Sequence, residues 1–233
     1  MPKIVSLNIQ HGGGKRQPAL SRWLIDTMAD FLVLPEWRSG SELLARELSA
    51  AGYVGNTLVR PGRSANGVAI FSRAAYPADR VTPEDALKGE LLHLRTEQLD
   101  LVGVYFPQMD AKASFFRRCS SLADEATQPL LILGDLNTGS NTRDIEAGAS
   151  RFRCEKEFMD ISDSHGLSDL WRLQHGLAAR EWTWQSSSNN GFRIDHAFAN
   201  QRFTAAFPQW QCMYDHSPRE QKFTDHSALI VEI

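Results

Sequence analysis

A single α/β domain spanning residues 1–233 is predicted by three observations. Short apolar runs of strand length alternate with helical patterns, they recur from one end of the chain to the other, and 233 residues suffice to bury one large core. Hydrophobic residues make up 42% and charged residues 23%, the balance of a globular protein. No internal repeat, low-complexity tract or linker divides the chain.

Residues 3–9 form the first expected strand. In 19–28 the apolar residues recur at helical spacing, with Trp23 and Leu24 following Leu20. Residues 31–34 are a continuous apolar strand, which Pro35 is expected to stop. A helix over 41–51 sets Leu43, Leu44 and Leu48 on one face and ends at Gly52. Strands are expected over 67–72 and 99–105, a helix over 113–127, and a buried strand over 130–133. A helix over 155–165 stops at Gly166, followed by the apolar-polar segment 167–171. Residues 194–199 and 229–233 supply the last strands.

The longest apolar runs are too short to span a bilayer, and the N-terminal residues lack the basic, apolar and small-residue zones of a signal peptide. The expectation is a cytoplasmic protein with no membrane contact and no obligate protein partner, hence a monomer. Cys119, Cys154 and Cys212 are odd in number, widely spaced and without zinc-site spacing, which predicts reduced thiols. Net charge is −3, but residues 1–75 carry nine Lys or Arg against five Asp or Glu. A slightly acidic total does not exclude a polyanionic substrate, because a metal enzyme needs acids as ligands.

A repeated pattern carries the chemistry: a strand runs out, and an acid, amide or imidazole sits at its exit. Asn8 lies near the end of the first strand, and Glu36 follows the second. Asp135 and Asn137 follow the apolar run 130–133, Asp195 enters a strand, and Asp225-His226 precede the last one. Charges abutting apolar strands are costly unless paired or metal-bound. Several converging on one sheet edge make a hard-cation site with oxygen ligands. Taken singly, Asp-x-Asn after a strand is a turn and Asp-His is surface. The combination is what points to a site.

Seven segments stand in a fixed order: Ser6-Leu7-Asn8-Ile9-Gln10, Asp30-Phe31-Leu32-Val33-Leu34-Pro35-Glu36, Gly67-Val68-Ala69-Ile70-Phe71-Ser72, Gly103-Val104-Tyr105-Phe106-Pro107-Gln108, Gly134-Asp135-Leu136-Asn137, Arg193-Ile194-Asp195 and Thr224-Asp225-His226. Together they resemble the endonuclease/exonuclease/phosphatase superfamily. The Tyr-Phe-Pro-Gln stretch, Gly166-Leu167-Ser168-Asp169-Leu170-Trp171-Arg172 and residues 182–195 are similar to its exonuclease III-like (AP endonuclease) branch. The resemblance implies a four-layered α/β sandwich, two packed mixed β-sheets flanked by helices, with the site at one edge. It also implies a metal-dependent phosphodiester hydrolase, a DNA nuclease with endonuclease or 3′-exonuclease activity and abasic sites among its candidate substrates, placing it in DNA repair.

On that resemblance, Glu36, Asp225 and Asn8 are the expected ligands of Mg²⁺ or Mn²⁺. Asp135 would deprotonate the attacking water and Asn137 would hold that water or a phosphoryl oxygen. His226, oriented by Asp195, would contact the scissile phosphate, and Tyr105 would donate its hydroxyl to it. Gln10 departs from the Asn or Asp usual at its position, and its longer stem points to substrate contact rather than direct ligation. The segment His11-Gly12-Gly13-Gly14-Lys15-Arg16 lacks the spacing of a phosphate loop and reads as a flexible loop. From it Lys15 and Arg16 would reach the phosphate backbone. His11, His93, His165, His175, His196 and His216 are expected in ordinary surface or core roles.

Trp184, Phe192 and Ile194 fall where this branch holds an extrahelical abasic sugar, although aromatic residues beside a strand are also ordinary core packing. Two other classes stay open. One is a phosphatase or phosphodiesterase acting on a nucleotide-like metabolite or phospholipid headgroup; the other is a catalytically silent binding module on the same scaffold.

Overall fold

The computed structural model describes residues 2–57 and 66–233. In chain order it contains β1 (Lys3–Ser6), α1 (Gln17–Asp26), β2 (Phe31–Trp37), α2 (Glu42–Ala50), β3 (Val54–Thr57), β4 (Gly67–Ser72), β5 (Ala78–Arg80), β6 (Glu90–Arg95) and β7 (Asp100–Tyr105). Then come α3 (Ala113–Glu125), β8 (Leu130–Asp135), α4 (Glu155–Asp163), β9 (Ser168–Asp169), α5 (Leu170–His175), β10 (Trp184–Gln185), β11 (Gly191–Phe192), β12 (Asp195–Ala199), α6 (Gln201–Ala206), β13 (Gln211–Asp215), α7 (Ser217–Glu220) and β14 (Ala228–Glu232). Two six-stranded mixed sheets result, with orders β13-β14-β1-β2-β4-β3 and β5-β6-β7-β8-β12-β9. β1–β2 and β7–β8 are the parallel pairs.

Strand periodicity explains the layering. Alternate side chains of one strand enter opposite faces, so Val33 packs between the sheets while Leu32 and Leu34 pack outward with Leu20, Leu24, Leu44 and Leu48 of α1 and α2. In the second sheet Leu131 and Leu133 face inward, and Ile132 meets Phe115, Phe116, Phe158 and Ile161 of α3 and α4. Both faces of the central strands are buried, which is why they read as unbroken apolar runs. The layers are helix, sheet, sheet, helix: the expected four-layered sandwich. A side chain at Gly103 would bring its Cβ to 2.8 Å from Val33 Cγ1 of the facing sheet, so only glycine lets the sheets approach there.

Pro35 does not stop the second strand. β2 runs on to Trp37, because a proline loses a donor but keeps its acceptor, and Pro35 O accepts Ile9 N–H (3.1 Å). The register shifts between Pro35 and Trp37, and Glu36 takes φ 62 in that bulge. Local sequence patterns also missed β3, β5, β6 and β13, and 167–171 is split between a two-residue strand and the start of α5. The three cysteines are free thiols, and no helix among the described residues is long and apolar enough to cross a membrane.

At the β12–β9 edge of the second sheet lies a buried ionic network. Arg193, inaccessible to solvent, pairs with Asp144 (2.7 Å) and Asp169 (2.6 Å), and Arg172 also reaches Asp144. His196 bridges Asp169 and Thr138 O, an interior role of the expected kind. The network holds the 138–146 loop against β12, next to Asp195. Arg193→Met is expected to destabilise the protein by about 3–5 kcal/mol, because two carboxylates would be left buried without their main cation. A melting curve should fall by roughly 10 °C; an unchanged Tm would refute the role given to Arg193.

Candidate active site

The chain places its acids at the end of the sandwich where β1, β2 and β8 run out and β12 begins. Gly134 has φ 144, and a Cβ there would lie 2.1 Å from Val104 O, so glycine alone allows β8 to deliver Asp135 beside β7. Antiparallel pairing of β8 with β12 sets Asp135 directly across from Asp195. An isolated bridge between Trp184 and His226 carries His226 to the same end.

One amide nitrogen joins the two halves. Asn8 Nδ2 donates to Asp135 Oδ2 (2.9 Å) and Glu36 Oε1 (3.3 Å). Asn8 Oδ1 accepts Gln10 N–H (2.8 Å), so its oxygen is turned from the carboxylates and its nitrogen spaces them. Asn137, at φ 51, donates its backbone N–H to Asp135 Oδ1 (2.8 Å) and its amide to Phe106 O (2.8 Å) and Asp135 Oδ2 (3.3 Å). Left-handed backbone at non-glycine residues such as Glu36 and Asn137 stores strain, which persists where surrounding bonds overdetermine it.

On the far wall His226 Nδ1 donates to Asp195 Oδ2 (2.8 Å), while Nε2 stands 4.0 Å from Asp225 Oδ1. Asp225 in turn accepts Trp184 Nε1–H (3.0 Å). Glu36, Asp135, Asn137, Asp225 and His226 line a single cavity of about 380 Å³, together with Trp184, Phe192 and Ile194. The Trp184 and Phe192 rings lie 5.5 Å apart, centroid to centroid. The aromatic residues thus form a wall of the cavity as well as packing on each other.

The electrostatics follow from burial and proximity. Burial raises the Asp135 pKa well above the carboxylate range, the charges of Asp195 and Glu36 add to it, and His226 and the Asn137 N–H oppose. Burial disfavours a proton on His226, yet its contact with Asp195 outweighs that and, with Asp135 and Asp225, lifts its pKa to about 10. His226 is therefore an imidazolium at neutral pH. Burial, Glu36 and Asp135 raise Tyr105, which stays a protonated donor hydrogen-bonded to Glu36.

Glu36, Asp135, Asp195 and Asp225 stand around one imidazolium, with the cations Lys112, Arg151 and Arg153 elsewhere on the cavity lining. Among the described residues no three His, Cys, Asp or Glu side chains are grouped so that they could hold an ion by themselves. The carboxylate oxygens on the cavity wall are the donor type that a hydrated hard cation such as Mg²⁺ takes, one or two at a time. Glu36 and Asp225 are the carboxylates on the cavity wall besides Asp135, Asp225 standing 4.0 Å from His226 Nε2.

Other expectations come out differently. The loop from Gln10 to Gly14 is a run of five left-handed residues leading into a 3₁₀ turn, Gly14–Arg16. Its fold turns Arg16 inward: Nη2 donates to Gln10 O (2.7 Å) and Nη1 to Phe223 O (3.1 Å). Gln10 Oε1 accepts from Arg16 as well, so the two expected substrate contacts are spent on each other. Lys15 is exposed but outside the catalytic cavity. His11, assigned an ordinary role, sits with Nδ1 2.8 Å from Glu36 Oε2, and its backbone N–H donates to the same oxygen (2.7 Å). Sequence reasoning also missed Gln108 and buried Lys112, which donate to Asn137 Oδ1 and Asn137 O. Gln108 closes the Tyr-Phe-Pro-Gln motif, a signal of sorts; nothing in the sequence marks Lys112.

The model of the Endonuclease/Exonuclease/phosphatase family matches residues 5–226, and the chain belongs to that family. Its members are hydrolases acting on phosphoester bonds. Among solved structures, an AP endonuclease from Archaeoglobus fulgidus superposes with a TM-score of 0.81 at 21% identity, over 100% of this chain and 99% of that one. A 3′ phosphatase, NExo from Neisseria, bound to a product DNA hairpin, gives 0.83 at 21% identity, covering 100% and 99%. Truncated TDP2 from Caenorhabditis elegans gives 0.72 at 14% identity, covering 99% and 96%. At such identities the likeness is one of fold. The sequence matched no curated protein.

Proposed function

We propose that the chain is a divalent-metal-dependent DNA nuclease of the exonuclease III-like branch, with residues 1–233 acting as one catalytic domain. The observation that carries this reading is the gathering of Glu36, Asp135, Asn137, Asp225 and the Asp195–His226 pair around one cavity. The DNA-processing names of two structural neighbours favour DNA over other phosphodiesters.

Glu36 and Asp225 would hold Mg²⁺ or Mn²⁺, with Asn8 setting the distance between Glu36 and Asp135. When bound, the cation supplies charge neutralisation at the phosphate. Asp135, with its raised pKa, takes the proton of the attacking water. Asn137, tied to both Asp135 oxygens, orients that base. The His226 imidazolium faces the phosphoryl charge that grows in the transition state, and Asp195 keeps the proton on it. Tyr105 remains a hydroxyl donor beside Glu36. Trp184, Phe192 and Ile194 offer an apolar wall to a sugar lacking its base, whose extrusion costs least.

The test is a substrate panel of plasmid, abasic duplex, single-stranded DNA and small phosphoesters, each with Mg²⁺ and with a chelator. Cleavage of DNA that chelation abolishes is the expected result. Turnover of small esters with DNA left intact would move the assignment to a metabolite phosphoesterase, and inactivity on every substrate would make the chain a binding module.

A further inference from the structure

The catalytic cavity has a larger neighbour. A cavity of about 970 Å³ shares Gln108 and Met109 with it and is walled on the same side by Tyr105. The dividing wall is anchored to the catalytic groups: Gln108 donates to Asn137 Oδ1, and Asn66, on the far side, donates to the Tyr105 hydroxyl (3.2 Å). The two spaces thus adjoin across Gln108 and Met109.

Its lining has two characters. Leu87 is 93% exposed and Met109 58%, and both stand on this one cavity above buried Phe115. Met109 is held there by a left-handed backbone, φ 59, which a methionine adopts only at a cost. Large apolar side chains left in water around a concavity mark a ligand surface. Arg38, Lys88 and Arg117 share the lining, against the carboxylates of Asp85 and Asp110, which leaves the rim cationic.

We propose that this cavity is a nucleotide subsite, taking one unpaired nucleotide adjacent to the scissile phosphate. Its base would lie between Leu87 and Met109 and its phosphate at Arg117 and Lys88. The proposal rests on the nuclease reading for its ligand and adds a preference for DNA with single-stranded character beside the cut. A base inside a duplex is stacked on both faces and cannot enter a concavity, whereas an unpaired one offers a bare face to an apolar wall. The cations supply the sequence-independent attraction to the backbone.

The experiment is fluorescence anisotropy, without added metal, with the full chain carrying Asp135→Asn, in which cutting is slowed by about 10²–10³-fold or more. Labelled duplexes of one sequence, blunt or with a short 3′ single-stranded overhang, are titrated. The overhang is expected to bind at least about tenfold more tightly. Adding Leu87→Asp and Arg117→Glu, both at exposed positions where substitution spares the fold, should erase that difference. Lys88→Glu alone should reduce it. Equal binding of the two duplexes, or a preference untouched by these changes, would overturn the proposal. Failure of the nuclease reading looks different: the unsubstituted chain with Mg²⁺ would leave both duplexes whole although the binding preference held. Cutting of both with no preference would retain the nuclease and discard the subsite.

Discussion

Asp135→Asn is expected to lower turnover by at least about 10²–10³-fold while the protein keeps its fold. The carboxylate closes β8, and its two oxygens take the Asn137 backbone N–H and the amides of Asn8 and Asn137. An amide of the same shape accepts no proton from water, and it keeps one accepting oxygen for these donors while its nitrogen leaves at least one of them unmet. Burial, with the charges of Asp195 and Glu36, pushes the Asp135 pKa up against the attraction of His226, so the charge removed is one the fold holds at a cost. Deleting that charge relieves repulsion, so a melting curve should move by no more than a few degrees. Activity sits against stability at such a position, as functional groups often do. Turnover within tenfold of the unsubstituted protein would remove Asp135 from the role of base.

The second large effect is expected at Asp195. Burial alone would leave His226 neutral; the Asp195 carboxylate is the main group that reverses this, taking the pKa to about 10. A raised pKa in the folded protein means that the charged imidazole adds stability fully below its ordinary pKa of 6.5, and that this is lost as pH rises through about 10. In Asp195→Asn the Coulomb attraction is gone and burial dominates, so His226 should titrate near or below its ordinary value. NMR of the imidazole nitrogens reads this directly. Activity at neutral pH should fall about 10²–10³-fold. An imidazole still protonated at mildly alkaline pH in the variant would show that Asp195 does not hold the proton.

Much of the candidate site could be read from residue order. Glu36, Asp135, Asn137, Asp195, Asp225 and His226 follow or precede apolar strand runs, and strands of a sandwich end at a common edge. Side-chain direction was not readable. Arg16 looked like a free cation because nothing in the string His11-Gly12-Gly13-Gly14-Lys15-Arg16 shows five successive left-handed residues curling its guanidinium back onto carbonyls. His11 had no visible acid partner, since Glu36 lies 25 residues away and meets it only across the β2 bulge. Lys112 is hidden for the same reason: its carbonyl partner, on Asn137, belongs to another strand exit.

The unbroken apolar runs 31–34 and 130–133, alternating with helical patterns, pointed to one α/β domain, because burial on both faces of a strand leaves no polar positions in it; the four layers were implied by the family resemblance. Which groups touch was settled by packing. Gly103 and Gly134 allow close approach of sheets and strands, the bulge at Glu36 turns its carboxylate toward Asn8, and the β8–β12 register sets Asp135 across from Asp195. Hydrogen bonds and ion pairs act over a few ångströms between residues far apart in the chain, so the charge state of His226 and the course of the second cavity exist only once the sheets have closed on each other.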